Sequence, residues 1–281
     1  MQNAWQNIGE AKVTASKSSI WSLIGQRLSE SGEAKNVTEI ILSDITIMGE
    51  GYCVIGLEQV SPNSFRSTRP FPRNAFAWRE PFPFRRGDAV SFEPIATVAK
   101  CPHIEDQQSN GLRNADRALS EADLVESLRK AEVAADLVHL FECQPQTSTQ
   151  GGRALWVNPQ EARRSICGCE YENLRFRLFP EPQGFNLRAE LLLASNERLS
   201  SIPIVDREWR RFVKALVGRI KRSNPLPLAE RFLNQKISNR LCFANKRFAR
   251  IGLPRPRADQ HCWLMLDSLF PQPQDAWADE L

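Results

Sequence analysis

A chain of 281 residues with 42% apolar and 25% charged side chains, among them 15 Phe and 7 Trp, can build a packed core, which excludes wholesale disorder and fits two ordinary domains or one large one. No apolar run reaches the roughly 20 residues of a membrane-spanning helix, residues 1–17 lack the apolar stretch of a secretory leader, and seven scattered cysteines suggest reduced thiols, so a cytoplasmic protein is expected. The net charge of +4 is unevenly spread: residues 1–140 hold 15 Lys and Arg against 18 Asp and Glu, whereas residues 141–281 hold 22 against 15.

Residues 1–36 are rich in Ser, Ala and Lys. Their one apolar patch, Ile20, Trp21, Leu23, Ile24 and Leu28, has the spacing of a two-turn amphipathic helix. This segment is expected to be a partly disordered or partner-docking extension. From Val37 the pattern changes to short β-rich runs. Strands are expected at Val37–Ile47, Tyr52–Val60 (with Gly56 marking a bulge or bend), Phe65–Arg69, Ala89–Glu93 and Ile95–Lys100, with a Pro-rich loop at Pro70–Phe84 that carries Trp78. Five short strands and a long loop over 37–118 suggest a small Greek-key barrel.

Ser120 stands where an N-cap belongs, and Leu124, Leu128, Ala131, Ala135 and Val138 follow at helical spacing to about Phe141. Residues 119–152 therefore read as a helical linker. Strands resume at Ala154–Val157, Arg164–Cys169, Leu174–Phe179 and Phe185–Ala194. Asp206 caps a helix running to about Arg222, and Leu226–Asn239, with Pro227 in its first turn, is another. A strand at Cys262–Leu266 completes a second β-rich unit over 153–273, before an acidic tail at 274–281.

Charge singles out the stretch from Arg207 to Arg257, which has 15 basic residues and only Glu208 and Glu230 as acids. On the helix from Asp206, residues Arg207, Arg210, Arg211, Lys214, Lys221 and Arg222 fall on one stripe roughly 120° wide, opposite Trp209, Phe212, Val213, Leu216 and Ile220. Such a ladder suits successive phosphates of a nucleic acid, where each contact releases condensed counterions. A solvated face, an acidic protein or an acidic lipid are the alternative readings. Lys246, Arg247, Arg250, Arg255 and Arg257 extend the same charge. A second cluster sets Arg66, Arg69, Arg73, Arg79, Arg85 and Arg86 among Phe65, Phe71, Phe76 and Trp78, planes that either stack bases or pack a core.

The sequence gives little support to catalytic chemistry. No C-x-x-C pair, nucleophile elbow or glycine-rich phosphate loop is present, so no metal and no cofactor are expected. His103, Glu105 and Asp106 form the one compact titratable group, read first as a turn whose carboxylates accept N–H bonds or pair with arginine.

Several segments, in order, resemble the dual OB-domain family, prokaryotic proteins often encoded near defence genes. They are IILSDITIMGEGYCVIGLE, Arg69-Pro70, Gly87-Asp88-Ala89-Val90, Pro102-His103-Ile104-Glu105-Asp106, IPIVDREW at 202–209, Gly252-Leu253-Pro254-Arg255-Pro256 and Cys262-Trp263-Leu264. Gln107 departs from the aromatic residue expected after that acidic pair. The resemblance implies a mainly β fold with some α: two tandem OB-like barrels joined by a helix, with additional helices in the C-terminal half. It also implies a non-catalytic nucleic-acid-binding protein, DNA or RNA with a single strand favoured, serving as an accessory subunit with a partner protein and away from membranes. Two other functions stay open: an adaptor anchoring a partner enzyme, and a metal-dependent nuclease or hydrolase using Asp44, His103, Glu105, Asp106 or Asp206.

Overall fold

The computed structural model describes residues 37–62, 64–98, 100–148, 154–241, 247–256 and 259–273. The expected docking helix near Trp21 and the acidic tail lie outside them. The run IILSDI from Ile40 to Ile45 forms the buried middle of β1 (Thr38–Met48), which turns through Gly49 into β2 (Gly51–Ser61). The ladder slips one residue between Leu42 and Asp44, opposite Gly56. The bulge expected at this glycine therefore falls on the facing strand, at Ser43. A Cβ on Gly56 would stand 2.8 Å from the Ile41 carbonyl, so only glycine allows this close approach.

β3 (Ser64–Pro72) pairs with β2, and β4 (Asp88–Phe92) pairs with the other edge of β1. After Glu93 the chain continues as β5 (Pro94–Thr97), which pairs with β6 (Asp106–Ser109); β6 runs parallel to β3. Because β4 and β5 are consecutive, these pairings form a circuit, β1-β2-β3-β6-β5/β4-β1, around a core of Leu42, Ile45, Val54, Val90 and Phe92. β7 (Arg113–Ala118) extends the edge at β4. The sequences of β6 and β7, DQQS and RNADRA, lack apolar alternation, so neither was expected.

Ser120 caps α1 (Glu121–Ala131) by accepting the Asp123 N–H, as expected. The helix does not reach Phe141. It stops at Glu132, β8 (Val133–Ala134) intervenes, and a short α2 (Leu137–Phe141) begins on a second cap, Asp136. The linker is thus two helices. β9 (Gln146–Thr147), β10 (Leu155–Val157) and β15 (Cys262–Trp263) form a small sheet.

The two strands expected at 164–179 are one long strand, β11 (Ile166–Glu181). Its first part pairs with β14 (Phe248–Gly252), and its second with β12 (Gly184–Leu193). β13 (Arg198–Pro203) lies on β12, and β16 (Met265–Phe270) on β14. A parallel bridge from Ile204 to Leu266 closes a second circuit, β11-β12-β13-β16-β14-β11. Two helices, α3 (Arg207–Arg219) and α4 (Leu226–Leu241), fill the connection from β13 to β14. The protein is therefore mainly β with some α, built on two barrel-like strand sets.

The described residues form one compact unit. The two strand sets meet across a buried polar seam. Arg250 of β14, fully buried, lies 3.2 Å from the Asp44 carboxylate of β1 and donates to Ser67 at 2.8 Å. Arg86, ahead of β4, donates to Asp206 at 2.6 Å. Ser268 of β16 donates to the Ser43 carbonyl at 3.0 Å. Removing one member of a buried pair leaves an uncompensated charge, so Arg250→Met should destabilise the protein by about 3–5 kcal/mol, whereas the double variant with Asp44→Leu should recover part of that stability. Urea denaturation midpoints of the two variants check this.

Candidate functional site

Asp206 organises the helix that carries the basic stripe. Its Oδ1 accepts the N–H groups of Glu208 and Trp209 at 3.0 and 3.3 Å, as expected of an N-cap. Its Oδ2 accepts Arg86 and the Leu269 N–H, which sequence reasoning did not foresee. From this cap, Trp209, Phe212, Val213 and Leu216 face the core. Arg210 is half-buried and Lys214 exposed, and neither makes an ion pair with a described residue. Arg211 is 52% exposed, near Glu80 and donating to the Tyr52 hydroxyl at 3.0 Å.

Two members of the stripe are placed differently from expectation. Arg207 is only 2% exposed: its guanidinium donates to the Phe84 carbonyl at 2.8 Å and lies over the Tyr52 ring. It sits in the first turn, where the cap pulls the chain against the Pro-rich loop. α3 ends at Arg219, with Ile220 already extended, so Lys221 and Arg222 follow the helix rather than continue its stripe. Both are exposed and unpaired with any described acid.

The other predicted cations divide in the same way. Arg69, Arg86 and Arg250 belong to the seam rather than the surface. Arg66 is exposed but held by Glu58, Arg85 is exposed, and Arg247 donates to the Glu172 carbonyl. Trp78 is half-buried and its indole N–H donates to the Pro70 carbonyl, so it braces the Pro-rich loop. Lys246 and Arg257 lie outside the described residues.

The turn His103–Asp106 meets arginine, as read from the sequence. Arg69 donates to Asp106 at 2.6 Å, to Ser165 at 2.8 Å and to His103 Nδ1 at 2.7 Å. A guanidinium cannot accept, so Nδ1 is the unprotonated nitrogen. Burial and the charges of Arg69 and Arg255 lower the His103 pKa to about 3, which keeps the ring neutral. Glu105 accepts both the N–H and the hydroxyl of Ser165. Asp106 also accepts Arg255, whose guanidinium lies 4.3 Å from the Phe76 ring centre. The acids named for a hydrolytic site are thus each held by a cation or by hydrogen bonds, and no three metal-ligating side chains are grouped among the described residues.

Beside this cluster lies a cavity of about 370 Å³ between the two strand sets. Ile47, Met48, Phe71, Leu253 and Met265 give it apolar walls, and Arg69, Asp106, Arg255, Cys53 and Asp267 give it polar ones. Burial pushes the Cys53 thiol up to about 11, which keeps it protonated. Asp267 is the residue that sequence reasoning missed. It is 5% exposed, its Oδ1 has no hydrogen-bond partner among the described residues, and a Cβ on Gly252 would stand 2.1 Å from its Oδ2. The available signal was a single acid inside the apolar run of β16, next to a strand containing a glycine.

Burial first, and then the negative charge of Asp44, raise the Asp267 pKa well above its ordinary value, with Asp206 adding and Arg69 and Arg250 opposing. A carboxyl raised in the folded state favours folding at low pH, and that contribution disappears as pH rises from the unfolded value of about 3.9 toward the folded one. Asp267→Asn should therefore match wild type near pH 4. It should then gain on wild type by up to about 1.4 kcal/mol per pH unit until the carboxyl ionises, as read from unfolding curves at several pH values. No protein-family model matches the sequence and no curated protein matches it, so the functional conclusion rests on this geometry.

Proposed function

We propose that the protein binds nucleic acid through the exposed cations of α3 and the turn after it. The observation that carries this reading is the contrast among its cations. Those facing inward are neutralised by acids or carbonyls, whereas Lys214, Lys221 and Arg222 are exposed and Arg210 half-buried, all without a described acid beside them. Unneutralised charge gathered on one region repels itself and is compensated when an anionic polymer binds.

The strand circuits support a finer version, two OB barrels. In each, the first strand pairs with the second and fourth, and the third meets the fifth in parallel: β3 with β6, and Ile204 with Leu266. In the second set, helices occupy the connection between its third and fourth strands. OB barrels take single strands along a sheet face and its loops. The resemblance noted in the sequence extends the proposal to an accessory, non-catalytic role in a prokaryotic defence or mobile-element system.

A salt titration of oligonucleotide binding tests the reading. Abolishing one cation–phosphate pairing lowers the log–log salt slope by about 0.7 for single strands, so replacing Arg210, Lys214 and Lys221 together with Ala should lower it by about two. The unfolding midpoint should remain near wild type, because Lys214 and Lys221 are exposed and Arg210 has no ion pair with a described residue to lose. An unchanged slope removes α3 from the interface, and no binding of DNA or RNA at low salt overturns the proposal.

A further inference from the structure

The cavity between the strand sets combines features that the cationic surface lacks. Phe76 is 58% exposed at its mouth, with its ring centre 5.8 Å from that of Phe71 and the Arg255 guanidinium over one face. Deeper in, Asp267 contributes a buried carboxyl with one oxygen unpartnered among the described residues. An unpaired polar atom at this depth is costly unless a ligand or an ordered water meets it.

The chemistry of the ligand follows from these walls. Arg69 and Arg255 line the same space, which opposes an amine or other cation. The apolar side chains opposite do not suit a small hydrated anion. The Asp267 carboxyl, whose pKa burial raises well above its ordinary value, sets two oxygens side by side, one of them an O–H donor when the group is protonated. That pattern complements the edge of a nucleobase, where donor and acceptor stand side by side, while the faces of the base need only apolar and aromatic contacts. A volume of about 370 Å³ lies at the small end of ligand sites.

We propose that this cavity holds one nucleobase, its edge on Asp267 and its ring against the Phe76 side, with Arg255 near the attached phosphate. This rests on the nucleic-acid reading and adds to it a base-reading pocket distinct from α3. The same chemistry is offered by a base within a strand and by a free nucleotide, and the test separates the two.

The full chain is titrated with labelled homopolymeric single strands of DNA and RNA by fluorescence anisotropy, and with nucleoside monophosphates by calorimetry, using wild type, Phe76→Ala and Asp267→Asn. Phe76→Ala, at an exposed side chain, should weaken strand binding by about 5- to 150-fold with the salt slope unchanged. Asp267→Asn should change the order of preference among bases, because an amide puts an NH2 donor in place of a carboxyl oxygen. If both variants bind every strand as wild type does, the pocket is overturned while the α3 interface stands. If no nucleic acid and no nucleotide binds wild type, both fall. Binding of monophosphates that depends on Phe76, without binding of strands, supports the pocket as a free-nucleotide site and overturns the α3 reading.

Discussion

The structure depends on arginines desolvated between its two strand sets. A buried guanidinium is tolerable only when an acid and several acceptors surround it, and here those acceptors come largely from the opposite half of the chain. Arg250 of the second set finds Asp44 of the first, Arg86 of the first finds Asp206 of the second, and Arg69 reaches Ser165 while Arg255 returns to Asp106. Arg250 and Arg86 find their nearest acids across the seam, whereas Arg69 is also held by Asp106 of its own set. The exchange fixes their mutual orientation more narrowly than apolar contact would, since a shift of an ångström breaks a charged hydrogen bond but barely changes the area buried.

This explains why the cavity lies where it does. The same side chains that join the halves, Arg69 and Asp106, form part of its wall, and β16 brings Asp267 beside them. Of the charged walls, Arg69, Asp106 and Arg255 hold one another in place before any ligand enters. Preorganisation of this kind spares a ligand the cost of ordering the site.

Much of the fold was legible in the sequence. β1, β2 and β12 follow apolar patterning, and Ser120 and Asp206 announce α1 and α3 as caps. The polar strands β6 and β7 were not legible, because their place is set by the neighbours they pair with rather than by their own composition. The local excess of charge from Arg207 to Arg257 was correct as arithmetic but incomplete as a surface. Arg207 and Arg250 point inward, and counting charge cannot separate an exposed arginine from one that spans a seam. Arg250 carried a hint, standing in FARIG with apolar neighbours on both sides. Asp267 belongs to the same class, a polar residue whose meaning depends on a strand elsewhere in the chain.

The seam also orders events during synthesis. Arg86 leaves the ribosome some 120 residues before Asp206, and Ser43 precedes its partner Ser268 by 225. The ladder of the first strand set pairs residues 38–118 with one another, whereas its docking face meets its last partners only in β16, near the C-terminal end. Charged side chains on a face not yet covered keep it hydrated, which disfavours edge-to-edge association of an incomplete chain. Contacts of such sequence separation make the final docking slow, so the polar character of the seam serves the chain before it is folded as well as after.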